Sequence, residues 1–156
     1  MKTGNTSESE VLIQAAFDSF KKGDFSAAIE QYRHIVAIDL KNVAAYGGLG
    51  NCYYRQGDIP QALEYFNKVL AMDPKSSSAL CGLGNCYLLT DSMKSKEYYK
   101  KAIAANAQNP WGYFDLGLLY SGEKNKADAL QQAKILASLD KDLEDRLKKQ
   151  IAIDNP

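Results

Sequence analysis

The sequence predicts an all-α array of four helical hairpins closed by a capping helix, and three observations carry that reading. Tyr46, Leu49, Gly50 and Tyr53 stand at i, i+3, i+4 and i+7, the spacing of one helical face. The same set returns 34 residues on as Leu80, Leu83, Gly84 and Tyr87, and 67 residues on as Tyr113, Leu116, Gly117 and Tyr120. Between these stripes lies a second helical period. It follows the break Gly57-Asp58, runs through Ala62, Phe66 and Val69, and ends at Asp73-Pro74. Its counterpart 34 residues earlier is Ala28, Tyr32 and Ile35 after Gly23. A period of about 34 residues built from helix, turn and helix marks stacked hairpins, each burying its apolar face against its neighbours.

Residues 1–8 are polar and aperiodic and read as a flexible tail, with the remainder, 9–153, as one domain. Ser7 and Glu10 fit a capping box ahead of the apolar run that opens at Val11. The first repeat, about 9–42, puts Leu12, Ala15, Ala16 and Ser19 on the stripe. Gly23-Asp24 makes its turn, Asp24 is the expected N-cap, and Leu40 replaces the closing proline. The second repeat, about 43–76, has Asp58 as N-cap and Pro60 in the first turn, where a missing N–H does no harm. Glycine in mid-helix costs about 1 kcal/mol against alanine. Gly50 is therefore expected where a side chain would obstruct a neighbour.

The third repeat, about 77–109, is one residue short. Nine positions separate Tyr53 from Ala62, but eight separate Tyr87 from Ser95. Its turn, Leu89-Thr90-Asp91-Ser92, has no glycine, and Ala107 stands where proline would. The fourth repeat, about 110–141, opens after Asn109-Pro110, puts Lys124 at the turn glycine and Ala133 at the aromatic. A capping helix of about 142–153 follows, with Leu143, Leu147 and Ile151 on its apolar face. Its acids come first and its bases later, as the helix dipole favours. Nine helices are expected.

Nineteen basic residues balance nineteen acidic ones, so no net field draws the chain to nucleic acid or an anionic membrane. No apolar run reaches the length of a membrane span, and MKTGNTSESE has no apolar h-region, so a cytoplasmic location is expected. Cys52 and Cys86, one repeat apart, are too distant for a disulfide and are expected as small buried thiols, while Cys81 points toward the inner face. The three cysteines lack zinc-site spacing, and His34 is the single histidine, expected on the surface. Gly47-Gly48-Leu49-Gly50 lies inside a helix rather than in a phosphate loop. No catalytic, cofactor-binding or metal site is read here, and the chain is expected not to be an enzyme.

The phased order of aromatic, Leu-Gly, Tyr, Gly, Ala, aromatic, small apolar residue and Pro resembles the tetratricopeptide repeat, from about Ser9 to Lys141. The resemblance implies a right-handed solenoid whose first helices line a concave groove and whose mid-helix glycines let paired helices approach. It implies a protein–protein interaction module, scaffold or adaptor that binds a peptide or partner segment in that groove. The inner positions lie one residue beyond the stripe. They are Ile13, Phe17 and Phe20 in the first hairpin, and Gly47, Asn51, Tyr54 and Arg55 in the second. The third gives Cys81, Asn85, Leu88 and Leu89, and the fourth Phe114 and Leu118. In this reading Asn51 and Asn85 hold a backbone, and Tyr54, Leu88, Phe17 and Phe114 contact side chains.

One subgroup grips acidic chaperone tails with a lysine- and asparagine-lined carboxylate clamp. Here the clamp positions hold Gly47, Asn51, Gly82, Trp111 and Asp115, so that reading fails. The alternative is the small chaperone of type III secretion translocators, whose sequences GGLGNCYYRQGD resembles. Trp111, Tyr113 and Phe114 at the start of the fourth hairpin would be the place for weak self-association, with Tyr113 expected in the core and Trp111 half-buried.

Overall fold

The structure, a computed structural model, describes residues 5–156, with side chains from Ser9 onward. Nine helices and no strand are found among the described residues. In order they are α1 (Asn5–Lys21), α2 (Phe25–Ile38), α3 (Val43–Gln56), α4 (Ile59–Met72), α5 (Ser77–Tyr87), α6 (Ser92–Ala105), α7 (Pro110–Gly122), α8 (Lys126–Leu139) and α9 (Lys141–Asp154). The all-α helical-repeat fold is thus as the sequence implies. By contacts the chain divides into two compact units, one ending at Pro74 and one running from Lys75 to Pro156.

Why helices start where they do is visible in their caps. Asp24, Asp58, Asp91 and Asn125 each accept a hydrogen bond from the backbone N–H three residues on, opening α2, α4, α6 and α8. Asn42, Ser76 and Asp140 do the same for α3, α5 and α9, and Asn109 accepts from the N–H of Trp111 at the start of α7. Each cap satisfies an otherwise orphaned N–H and is worth about 1 kcal/mol. The first helix departs from expectation. It begins at Asn5, so Ser7 lies inside α1 rather than at its cap. No proline or glycine between Asn5 and Val11 stops the helix from extending. Residues 1–4 of the expected tail lie outside the described residues.

In the first unit, the packing of α3 on α4 turns on Gly50. A Cβ there would stand 2.7 Å from Cε1 of Phe66, a fully buried ring. The missing side chain is what admits that ring between the helices. Tyr53 stacks flat on Tyr65 at 5.5 Å between centroids, and its hydroxyl accepts from Arg33 of α2 at 2.6 Å. Gly57 ends α3 in the left-handed region at φ 82°, which suits a residue without Cβ.

The second unit repeats the scheme with changes. A Cβ on Gly84 would stand 2.5 Å from Cε1 of Tyr99, so α5 and α6 close in the same way. The shortened turn cuts α5 to eleven residues, with Leu88 still in the right-handed helical region, and the chain needs no left-handed residue there. Two tethers cross from α6 to the end of α7. Ser92 donates to Glu123 at 2.7 Å, and Lys96 pairs with the same carboxylate at 2.9 Å. Buried Ser77 donates to the Ala102 carbonyl at 3.0 Å and accepts from Asn109 at 2.9 Å, tying α5 to the junction of α6 and α7.

At the fourth turn Lys124 takes the glycine's left-handed place, at φ 62°. Its ammonium compensates by donating to the Asp154 carbonyl at the end of α9, and Lys126 donates to the Asn155 carbonyl at 3.2 Å. Because Ala133 is small, the space beside Gly117 is filled from α9. Leu147, fully buried, lies directly against that glycine. Leu143, Leu147 and Ile151 join the core of this unit, and Lys141 and Lys148 both pair with the buried Glu144 carboxylate.

A candidate partner-binding surface

In the first unit the sequence-selected residues fall on α1 and α3, and Arg55 of α3 reaches a ring on α1 and another on α2. Arg55 at the end of α3 lies over the rings of Phe20 and Phe25, 5.7 and 5.2 Å from their centroids. Phe20 in turn stacks with Phe17 at 6.4 Å, and Lys21 covers Phe17 from one side. Phe17 nevertheless stays 44% exposed. On α3, a Cβ built on Gly47 would meet nothing within 4 Å. Asn51, one turn further, is exposed, and Tyr54 is half-buried. Ile13 is also half-buried. This face offers an aromatic ring, bare backbone and an amide that can both donate and accept.

In the second unit α5 and α7 carry the selected residues, and here the structure corrects the expectation of open lining. Cys81 is 5% exposed and Phe114 is 7% exposed. Phe114 is covered from two directions. Trp111 meets it edge-on at 5.9 Å, and Arg146 of α9 lies 5.0 Å above its ring. Asn85 is half-committed, because its Oδ1 accepts from the Tyr99 hydroxyl at 2.6 Å. Leu88 and Leu118 are partly buried against the core. Leu89 is almost fully exposed at the short turn.

The residue that register alone passed over is Asp115. It sits on α7 next to Cys81, whose thiol burial pushes up to about 12, with the Asp115 charge adding to the effect. Burial likewise raises the Asp115 carboxyl to about 7. No hydrogen bond or salt bridge engages it among the described residues. The signal was present in the sequence as one acid in an otherwise apolar helix, PWGYFDLGLLY.

Nothing in this arrangement resembles reacting groups. Burial pushes the Cys52 and Cys86 thiols up to about 11, away from the thiolate form that nucleophilic or metal-binding chemistry needs. No cluster of three His, Cys, Asp or Glu residues suited to a metal occurs among the described residues. No helix among them is long and apolar enough to cross a membrane. An open depression on α6, bounded by Asp91, Lys94, Lys96, Glu97 and Lys100, mixes both signs of charge and belongs to a second helix.

Hairpins locked by a mid-helix glycine under an aromatic ring, with the first helices presenting a face of their own, define a helical-repeat protein. The chain carries tetratricopeptide repeats. A tetratricopeptide-repeat model matches residues 43–76, and a second TPR-repeat model matches residues 19–57. Among solved structures, the thermophilic TPR protein TTC0263 of Thermus thermophilus is 24% identical, with 95% of this chain and 84% of that chain covered and a TM-score of 0.83. The MamA protein is 23% identical over 94% of this chain and 89% of that chain, with a TM-score of 0.62. The first TPR of Spaghetti (RPAP3), solved bound to an HSP90 peptide, SRMEEVD, is 18% identical over 77% of this chain and 96% of that chain, with a TM-score of 0.66. At these identities the likeness is one of fold. No curated protein matches the chain.

Proposed function

We propose that this chain is a non-catalytic scaffold or adaptor that holds a peptide or partner segment against the exposed faces of its first helices. The observation that carries the reading is the openness of the selected positions on α1 and α3: Phe17 and Asn51 are exposed, and nothing stands over Gly47. A side-chain amide set beside bare backbone suits an extended chain, which presents alternating donors and acceptors. The TPR bound to a peptide among the structural neighbours supports the mode of binding but not the ligand. An acidic peptide is a poor fit here, since a carboxylate, Asp115, occupies one of the positions where a carboxylate clamp needs a cation.

The test is affinity capture from the source cell with mass spectrometry, using the wild-type chain beside variants of each face. A partner should be retained by Lys68→Ala on α4 and lost or much reduced with Phe17→Ala and Asn51→Ala. Recovery of a single unfolded secreted client, in place of a folded partner, would favour the translocator-chaperone alternative. A partner indifferent to Phe17 and Asn51 but lost on changing α4 or α6 would place binding on the second helices and overturn the proposal.

A further inference from the structure

Residues four apart on a helix are surface neighbours, and on α7 that pairing joins Trp111 to Asp115. Trp111 is 49% exposed, though its neighbour Phe114 is buried beneath it. The Asp115 carboxylate beside it has neither a hydrogen-bond donor nor a cation among the described residues. Elsewhere in this unit acids are matched. Glu123 has Lys96, Glu144 has Lys141 and Lys148, and Asp142 has Arg146. A half-buried carboxylate without a counter-ion, bordered by an exposed indole, is electrostatically incomplete. Both groups favour a cation, one by charge and the other through the face of its ring.

We propose that the Trp111–Asp115 face of α7 receives a lysine or arginine side chain of a partner segment. The proposal deepens the partner-binding reading and rests on it. Charge complementarity selects the occupant: an acidic side chain here would meet Asp115 with no cation to offset it. A neutral apolar one would leave the carboxylate desolvated and unpaired.

Binding should therefore be linked to protonation. With its carboxyl titrating near 7, Asp115 is ionised and attractive at about pH 8 and largely neutral at about pH 5.5. The groups around it do not obscure this window. From α5 it faces the Cys81 thiol, which stays protonated throughout. From α9, Arg146 is engaged by Asp142 and the Phe114 ring. Burial is the one cause acting on Asp115, with no charged group of α6 or α8 contributing. The single histidine, His34, is exposed on α2 of the other unit.

The experiment is selection from a random peptide display library against the whole chain and, in parallel, against Asp115→Asn. Selected histidine-free peptides are then synthesised and titrated by the fluorescence of Trp111, the only tryptophan. Wild-type selections should be enriched in lysine or arginine and the Asp115→Asn selections should not. At about pH 8 the variant should bind such a peptide on the order of thirtyfold more weakly, the low end of the range for removing one partner of a desolvated charge pair. Wild-type affinity should fall about tenfold toward pH 5.5, and the variant's should stay level. Acidic or charge-free selections, no enrichment, or equal binding by the variant would overturn the inference. Peptides that ignore Asp115 but respond to Phe17→Ala and Asn51→Ala would overturn it too, while leaving the partner-binding reading standing. Peptides indifferent to all three would remove both.

Discussion

Alanine placed at Gly50 and at Gly47, three positions apart on α3, should change stability in opposite directions. At Gly50 the new Cβ would stand 2.7, 2.8 and 3.0 Å from Cε1, Cδ1 and Cζ of Phe66. Carbon atoms pack best at about 3.5–4 Å. Phe66 is 2% exposed, so the ring has no empty space to move into. Overpacking of this kind costs about 1–3 kcal/mol, against a gain of about 1 kcal/mol from replacing a helical glycine by alanine. The net is a loss of up to about 2 kcal/mol. At Gly47 a Cβ would meet nothing within 4 Å, so only the helix gain remains, about 0.5–1 kcal/mol of added stability. Urea unfolding followed by circular dichroism measures the difference, on the order of 2 kcal/mol between the variants. Because both sites lie on α3, the comparison holds whether or not the two units unfold together. Phe66→Leu added to Gly50→Ala should return part of the loss by making room. Equal effects of the two alanines, or a stabilising Gly50→Ala, would mean that Phe66 does not occupy the glycine's notch.

The remaining predictions use the same readout. Tyr53→Ala removes the stack on Tyr65 and the Arg33 hydrogen bond and should cost about 3 kcal/mol; a loss below about 0.5 kcal/mol would contradict the packing. Ser95 is fully buried with no partner for its hydroxyl, so Ser95→Ala should add about 1 kcal/mol, and a loss would reveal a hydrogen bond the packing does not provide. For Asp115, the folded carboxyl titrates near 7 and the ordinary one near 3.8, so between these values the folded chain holds the extra proton. Stability should fall as pH rises through that window and level off above it. About three pH units at 1.36 kcal/mol each set a ceiling of ~4 kcal/mol, and Asp115's remaining solvent contact reduces the expected effect to about half. Asp115→Asn should flatten the pH dependence and be the more stable chain at about pH 8; an unchanged profile would show that Asp115 is not desolvated.

Much of the fold was legible because it is written in spacing. The Tyr-Leu-Gly-Tyr stripe, the Asp24 and Asp58 caps and the missing turn residue before Ser95 are local features, and each has its place in the structure. Lys124 was identifiable as the turn residue because it falls in phase with Gly23 and Gly57. What holds it there, the end of α9, is a contact between elements that no period encodes. The candidate surface was legible only in direction. Register tells which way a side chain leaves its helix, and it selected Cys81, Asn85 and Phe114 on that ground. It does not tell what a neighbouring helix lays over them. Arg146 covers Phe114, and Tyr99 takes one end of Asn85, through contacts that depend on the approach of α9 and α6. Asp115 was overlooked for the opposite reason. Its interest lies in lacking a partner, and that is visible only once its surroundings are known.

The central claim, that a partner segment lies on the first helices, is tested most directly by mapping backbone amide shifts by NMR as a tightly bound display-selected peptide is added. The shifts should concentrate on α1 and α3, or on α5 and α7, around Phe17, Gly47 and Asn51 or around Trp111 and Asp115. Amides of α2, α4, α6 and α8 that face away from those helices should be nearly unmoved. Shifts centred instead on α4 or on the lysine-bearing surface of α6, with the first helices silent, would contradict the account.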